Sequence, residues 1–287
     1  MLSLHTNAAA LSAQNAISKT QQNLSMSMTR LSTGYRVNSA MDDAAGLQIA
    51  TRLKAQTSGM ATAARNTQNS ISLLQTAEGS FDEINNMLVR MKDLATQAAD
   101  VSSTDDDRTA LQSEYDALSL ELYNVMNNTT LGGQTLLKGG TVNSSMQFQI
   151  GASTSETMTI DLSTQMDAAD TGLSGLSTNY VASFTAAGAE ITTQTGANTL
   201  LTTINDSIDL VSVVRSALGA AANRLDHVAT NLANISTNTK NATGRIMDVD
   251  FASESAAMTS NQMLLQAGTA MLKQSNSQSS LVLSLLQ

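Results

Sequence analysis

The chain is 287 residues long, carries a net charge of −9 and contains no Cys, Pro or Trp. Absent Cys excludes a disulfide scaffold and a thiolate metal site, and the acidic balance excludes a sequence-independent nucleic-acid binder, which needs a basic face. Without Pro, which costs about 3 kcal/mol inside a helix, and with aromatics at only 3%, the composition favours long unbroken helices with a core of Leu, Ile, Met and Ala.

The first predicted helix carries its apolar stripe at Leu4, Leu11, Ile17, Leu24, Met28 and Leu31. From Met1 to Arg36 its only strong charges are Lys19, Arg30 and Arg36; the other polar positions are Ser, Thr, Asn and Gln. An uncharged polar face suits a helix that packs against protein on more than one side, because no charge must be stripped of water. Gly34 and Asn38 mark a turn. Ser39, with Asp42 and Asp43 behind it, reads as the start of a second helix with acids in its first turn. That helix runs to Ala99 despite Gly46, Gly59 and Gly79, a length of about 80 Å. Within it Leu74, Ala77, Phe81, Ile84, Leu88, Met91, Ala95 and Ala98 alternate steps of three and four, the spacing of a seam facing partner helices.

Val101–Asp107 is a connector. Its Asp run lacks the alternating ligands and later Glu of a calcium loop and is better explained as the cap of the next helix. Leu111, Tyr115, Leu118, Leu122 and Val125 give that helix its stripe. After the turn pairs Gly132-Gly133 and Gly139-Gly140 the period changes to two. Phe148 and Ile150, then Met158, Ile160 and Leu162, alternate with polar residues on either side of Gly151–Glu156, which predicts a β-hairpin. Thr171–Thr199 is rich in Ser, Thr, Ala and Gly and reads as a loop or small surface lobe. A third long helix reaches about Ala242, with Ile204, Ile208, Val211, Leu218, Ala222, Leu225, Ala229 and Leu232 on one stripe and Arg215 interrupting it. Asp248-Val249-Asp250 caps a last helix, in which Phe251, Met258, Leu265 and Leu272 recur every seven residues and Leu283 and Leu286 close the stripe. From Ala252 onward only Glu254 and Lys273 are charged.

These elements imply a mainly α fold: an elongated antiparallel helical bundle or coiled coil with a small β-hairpin, its termini paired as long helices. Two terminal helices alone cannot cover both their faces. Neighbouring copies would complete the burial, and a head-to-tail contact whose rotation does not close builds a helical filament. No catalytic, cofactor or metal site is expected. His5 and His227 lie on different helices, and no nucleophile elbow, phosphate loop or dinucleotide fingerprint occurs. No membrane partner is expected either. No apolar run approaches the ~20 residues of a span, and the terminal helices lack the basic polar face of a membrane-surface helix. The N-terminus does not read as a secretory signal, so any export would use another route.

LSTGYRVNSAMDDAAGLQIATRL (Leu31–Leu53) closely resembles the N-terminal signature of bacterial flagellins. NRLDHVATNLANIS (Asn223–Ser236), DVDFASES (Asp248–Ser255) and the terminal VLSLLQ resemble the matching C-terminal segments, and FQIGASTSETMTIDL resembles the family's bundle hairpin. The likeness covers about Met1–Ser177 and Leu200–Gln287, in the family's order.

The resemblance implies a structural subunit, not an enzyme, that polymerises with itself into the extracellular filament of a motile bacterium's flagellum. It places residues 1–41 and 248–287 in an inner tube and 42–178 with 199–247 in a surrounding spoke bundle. Residues 179–198 would be a short surface linker where the family usually inserts outer domains, so the chain resembles a minimal, lateral-type flagellin. Its implied partners are the flagellar export apparatus, a dedicated export chaperone at the C-terminal helix, the filament cap, the hook-junction proteins and Toll-like receptor 5. VRMKDLA (Val89–Ala95) aligns with the receptor-recognition helix, with Arg90, Leu94 and Glu114 at the positions expected to matter and Val89 departing from a usual Gln. A hook–filament junction protein, which shares the pairing of terminal helices, is the alternative reading.

Overall fold

In the computed structural model of the chain, residues 7–184 and 186–285 are described, and the side chains of residues 278–285 are not. The elements are α1 (Ala8–Thr33), α2 (Ala44–Ala98), α3 (Asp105–Asn128), β1 (Thr130–Leu131), β2 (Gln134–Thr135), β3 (Ser145–Gln149), β4 (Thr157–Asp161), α4 (Ser163–Ser174), α5 (Gln194–Met247) and α6 (Phe251–Leu285). They fall into two compact units, Met1–Thr57 with Thr237–Gln287, and Ser58–Ser236. The first division lies later in the chain than the 41/42 boundary expected from sequence and the second earlier than the expected 247/248, so that both fall within the long helices α2 and α5.

In the Ser58–Ser236 unit the core runs along α2. Leu74, Ala77, Phe81, Ile84, Leu88, Met91, Ala95 and Ala98 are at most 1% exposed. From α5, Ile204, Val211, Val214, Leu218 and Leu225 meet them, with Leu122 of α3, while Leu111, Leu118, Ile208 and Ala222 pack partly buried around the rim. A second small cluster joins Met60, Ala63 and Leu232. Arg215, the polar interruption of the α5 stripe, reaches α2 and bonds Glu78 at 2.8 Å and Asp82 at 2.9 Å. These hydrogen bonds and charges, that from Glu78 foremost, raise the already high pKa of the guanidinium against the opposing effect of burial.

The ends of these helices are fastened locally. Thr104 and Asp107 form a reciprocal capping box at the start of α3, which satisfies two otherwise unpaired N–H groups. Arg108 donates to the carbonyls of Ala98 and Asp100, serving the C-terminal end of α2. Gly132 and Gly133, with φ of 60° and 84°, form the two-residue turn between β1 and β2. Two successive positive φ values match the twist of a tight hairpin, and glycine takes them without steric cost. β3 and β4 pair antiparallel with Phe148 opposite Met158 and Met146 opposite Ile160; Met146, Met158 and Ile160 point inward.

Two segments differ from the sequence expectation. Ser163–Ser174 is a helix, with Met166, Ala169 and Leu173 buried. Asp161 accepts from the Ser163 N–H and hydroxyl at its start. The third long helix begins at Gln194, so the connection expected to be a surface linker over residues 179–198 contains the first turn of α5 and buried Asn179, Tyr180, Ile191 and Ala197.

In the other unit α1 and α6 lie antiparallel and close together. Three hydrogen bonds close it: Arg36 N–H donates to the Met247 carbonyl, Val249 N–H to the Gly34 carbonyl, and the Arg36 guanidinium to Ile246 O. Gly34, at φ 76°, ends α1 in the left-handed conformation, which only glycine adopts cheaply.

Candidate functional site

The α1–α6 pair meets along a seam in which small residues alternate with larger apolar ones. The seam positions, half-buried or buried, are Ala10, Ala13, Ile17, Thr20, Leu24, Ser27 and Leu31 on α1, beside which Arg30 is also half-buried, and Glu254, Met258, Asn261, Leu265, Gly268, Leu272 and Ser275 on α6. Both sets alternate steps of three and four. A Cβ built on Gly268 would lie 2.9 Å from Ile17 Cγ1, so the helices approach as nearly as a glycine allows. Asn7 donates to the carbonyl and hydroxyl of Ser275 at one end, and Arg30 lies 3.6 Å from Glu254 at the other.

The large apolar side chains of the two helices are split: some lie on the seam among the small residues, and others are left outside. Leu11 and Phe251, expected on the terminal stripes, are each 56% exposed, and Met28, Met263, Leu264 and Met271 are also exposed. The physical reason is that Ala, Ser and Gly permit a closer approach of helix axes than Leu or Phe at the same heptad phase. Ile17, Leu24, Leu31, Met258, Leu265 and Leu272 lie on the seam, half-buried. Leu4 and Leu286 lie outside the described residues, as does the side chain of Leu283. The described length of the two helices carries only Lys19, Arg30, Glu254 and Lys273 as charges.

The receptor candidates sit on the Ser58–Ser236 unit. Arg90 of α2 and Glu114 of α3 form an ion pair, 2.6 Å between Nη2 and Oε1, with both side chains about half exposed. Leu94 is 1% exposed. It packs beneath this surface and cannot itself be a contact on it, because position 94 turns toward the core beside Ala95.

A polar clasp was not legible in the sequence. On α3 the buried face is Gln112, Tyr115, Asp116, Ser119, Leu122 and Met126; of the expected stripe Tyr115 and Leu122 lie on it, while Leu111, Leu118 and Val125 are only half-buried at its rim. Gln112 donates to Asp116 Oδ1 at 2.8 Å and to Glu190 Oε2 at 2.7 Å, and its carbonyl accepts from Ile191 N–H. Asp116 Oδ2 accepts from Gly188 N–H at 2.9 Å. Glu190 Oε1 accepts from Thr178 N–H and from the Ser177 and Thr178 hydroxyls. Burial alone would raise the Glu190 carboxyl, but the hydrogen bonds around it, led by that from Thr178 N–H, hold it below its ordinary value. Tyr115 donates to Leu176 O, and burial, followed by the charges of Glu190 and Asp116, raises its phenol far above the usual range. A second fastening surrounds Lys138, which pairs with Asp170 at 3.0 Å and lies over the rings of Tyr123 and Tyr180. Tyr180 donates to the same Asp170. The signal that could have revealed the clasp is Gln112 and Asp116 at i and i+4, polar residues flanking an apolar stripe.

Among the described residues no group of three or more His, Asp or Glu side chains could hold a metal ion. No described helix is long and apolar enough to cross a membrane.

The profile of the bacterial flagellin N-terminal helical region matches residues 4–141, and that of the flagellin C-terminal helical region matches 201–286. The chain belongs to the bacterial flagellin family. It is 40% identical to a flagellin of Halalkalibacterium halodurans over 91% of this chain and 90% of that one. To the flagellin of Bacillus subtilis it is 35% identical over 99% of both. These relatives are covered nearly end to end, so a short flagellin is not peculiar to this chain. A solved structure of a putative flagellar hook-associated protein from Vibrio parahaemolyticus covers 72% of this chain and all of its own, at 18% identity and a TM-score of 0.55. At that identity it shows the shared fold alone and does not favour the junction-protein reading. As a flagellin the chain is a structural subunit that polymerises with itself into the extracellular flagellar filament, the organelle of motility.

Proposed function

We propose that α1 and α6 are the polymerising elements of this flagellin, and that copies cover the apolar side chains the helix pair leaves outside. The observation that carries this is the partition on those two helices. Small residues share the seam with Ile17, Leu24, Leu31, Met258, Leu265 and Leu272, while Leu11, Met28, Phe251, Met263, Leu264 and Met271 stand exposed among uncharged neighbours. A face of this kind is cheap to desolvate and has few charges to leave unpaired. On this reading residues 1–41 with 248–287 form the inner tube and 42–178 with 199–247 the spoke. The clasped segment around 179–198 stands where longer flagellins insert outer domains, and the chain has no enzymatic activity of its own. Leu4, Leu283 and Leu286 extend the same assembly stripe.

The other partners follow from family membership. The apolar α6 is the segment an export chaperone would shield before passage through the export apparatus, and the filament cap and hook-junction proteins would meet the same terminal helices. Toll-like receptor 5 would meet the exposed Arg90–Glu114 pair as polar rim contacts, with Leu94 acting only by holding α2 in place beneath them.

The test is seeded assembly of the purified chain followed by electron microscopy. Long filaments of uniform width are expected. Persistent monomers or closed rings in the presence of competent seeds would overturn the reading in favour of a junction protein.

A further inference from the structure

The fifteen methionines divide sharply between the two units. The seven from Met60 to Met166, all within Ser58–Ser236, are 0–6% exposed. Outside that unit Met26 is 42% exposed, Met28 51%, Met263 61% and Met271 66%, all on α1 or α6, and Met41 in the turn after α1 is 97% exposed. Met247 and Met258 are half-buried, and Met1 lies outside the described residues. The chain has no Cys and no Trp. An oxidant meeting the folded subunit therefore finds thioethers as its most reactive accessible groups, and finds them on the helices that polymerise.

We infer that Met26, Met28, Met263 and Met271 are modification sites whose oxidation by peroxide gates assembly of the subunit. This rests on the reading of α1 and α6 as polymerising elements. In the step, the thioether sulfur attacks one oxygen of hydrogen peroxide. An S–O bond forms, the O–O bond breaks, and the displaced hydroxide takes the proton of the new S–OH group and leaves as water. Sulfur loses two electrons and the peroxide gains them. The product sulfoxide is polar and demands hydrogen-bond partners, so it must be dehydrated when a second copy covers it, whereas the thioether is not. Oxidation at these positions leaves the Ser58–Ser236 core intact because its own methionines are out of reach. A methionine sulfoxide reductase supplied with a dithiol reverses the change, and that reductant has no cysteine in this chain to act on.

The experiment treats the full-length monomer with hydrogen peroxide, maps the added oxygen by peptide mass spectrometry, and measures the critical concentration for seed extension. Oxygen is expected at Met41 and the four helix positions before any of the Met60–Met166 set. The critical concentration should rise about tenfold or more, as expected when apolar contacts become polar ones needing dehydration. Reductase treatment should restore it. A variant with Met26, Met28, Met263 and Met271 all replaced by Leu should extend seeds equally with or without peroxide, and Met41→Leu alone should give no protection. Oxidation of the buried set at the same rate, unaltered assembly by fully oxidised subunits, or loss of the bundle's thermal transition in the oxidised chain would each overturn the inference. Failure of untreated protein to extend seeds would overturn the assembly reading with it, an outcome distinct from the other three.

Discussion

Asp116 is the residue through which the clasp can be tested most directly. It is 2% exposed, and its two oxygens accept from Gly188 N–H and from the Gln112 amide. Asp116→Ala leaves the half-buried Gly188 N–H without its acceptor and removes one of the two acceptors of the buried Gln112, which keeps Glu190. A buried donor without a partner costs about 1–3 kcal/mol. Part of that is offset, because Asp116 and Glu190 converge on one amide and removing one carboxylate relieves their repulsion. The net loss should be about 2 kcal/mol, taking the desolvation penalty as the larger effect. For a unit the size of Ser58–Ser236 this lowers the Tm by about 4–8 °C. Asp116→Asn offers only one acceptor, so one of the two contacts survives and about half the loss is expected. The assay is thermal unfolding of the monomer at neutral pH, read by circular dichroism, with hydrogen exchange at Gly188 and Ile191. Both amides should lose protection in the Ala variant while seed extension continues. A loss within about 0.5 kcal/mol, the range of an ordinary surface change, would refute the clasp as an energetic element.

Glu190 makes the same segment acid-sensitive. Its folded pKa lies below the ordinary value, so its contribution is fully present above the unfolded pKa of about 4.3 and is lost as the pH falls through that value toward the folded one. Protease cleavage within residues 177–191 should rise over that window, and Glu190→Gln should flatten the dependence; an unchanged profile in the variant would contradict the assignment. Phe81 is fully buried, and Phe81→Ala should cost about 3–5 kcal/mol in denaturant unfolding. Leu264→Lys places a charge on the exposed face of α6; it should stop seed extension without moving the bundle's thermal transition. Arg90→Ala and Glu114→Ala break an exposed pair and should each cost under about 1 kcal/mol of stability. The same variants should lower the response of a Toll-like receptor 5 reporter, and an undiminished response would remove these residues from the proposed receptor surface.

The helical class was legible because three- and four-residue steps persist over many turns and no Pro interrupts them. On α2 the run from Leu74 to Ala98 coincides with the fully buried positions, since a helix covered along one face by large apolar side chains has one solution for its rotation. The phase of α3 was legible only in part: Tyr115 and Leu122 are buried as expected, but Gln112, Asp116 and Ser119 are buried where Leu111, Leu118 and Val125 were expected. Periodicity counts Gln112 and Asp116 as solvent-facing, and only the return of residues 188–191, remote in sequence, supplies their partners. The α1–α6 seam was legible at Ile17, Leu24, Leu31, Met258, Leu265 and Leu272 but not at its small positions: hydropathy ranks Leu11 and Phe251 above Ala13 and Gly268, but close approach of two helices is governed by size. Ser163–Ser174 escaped notice because three apolar positions in a Ser-, Thr- and Asp-rich stretch make too short a pattern to register.

The scarcity of charge on α1 and α6 has a consequence for the medium in which the filament works. Association through such faces is driven chiefly by release of ordered water, so dissolved salt has little charge to screen and the subunit contacts should hold in fresh and saline surroundings alike. The same origin sets the weakness. Release of water contributes less on cooling, so a filament held this way should loosen in the cold before it yields to ionic strength.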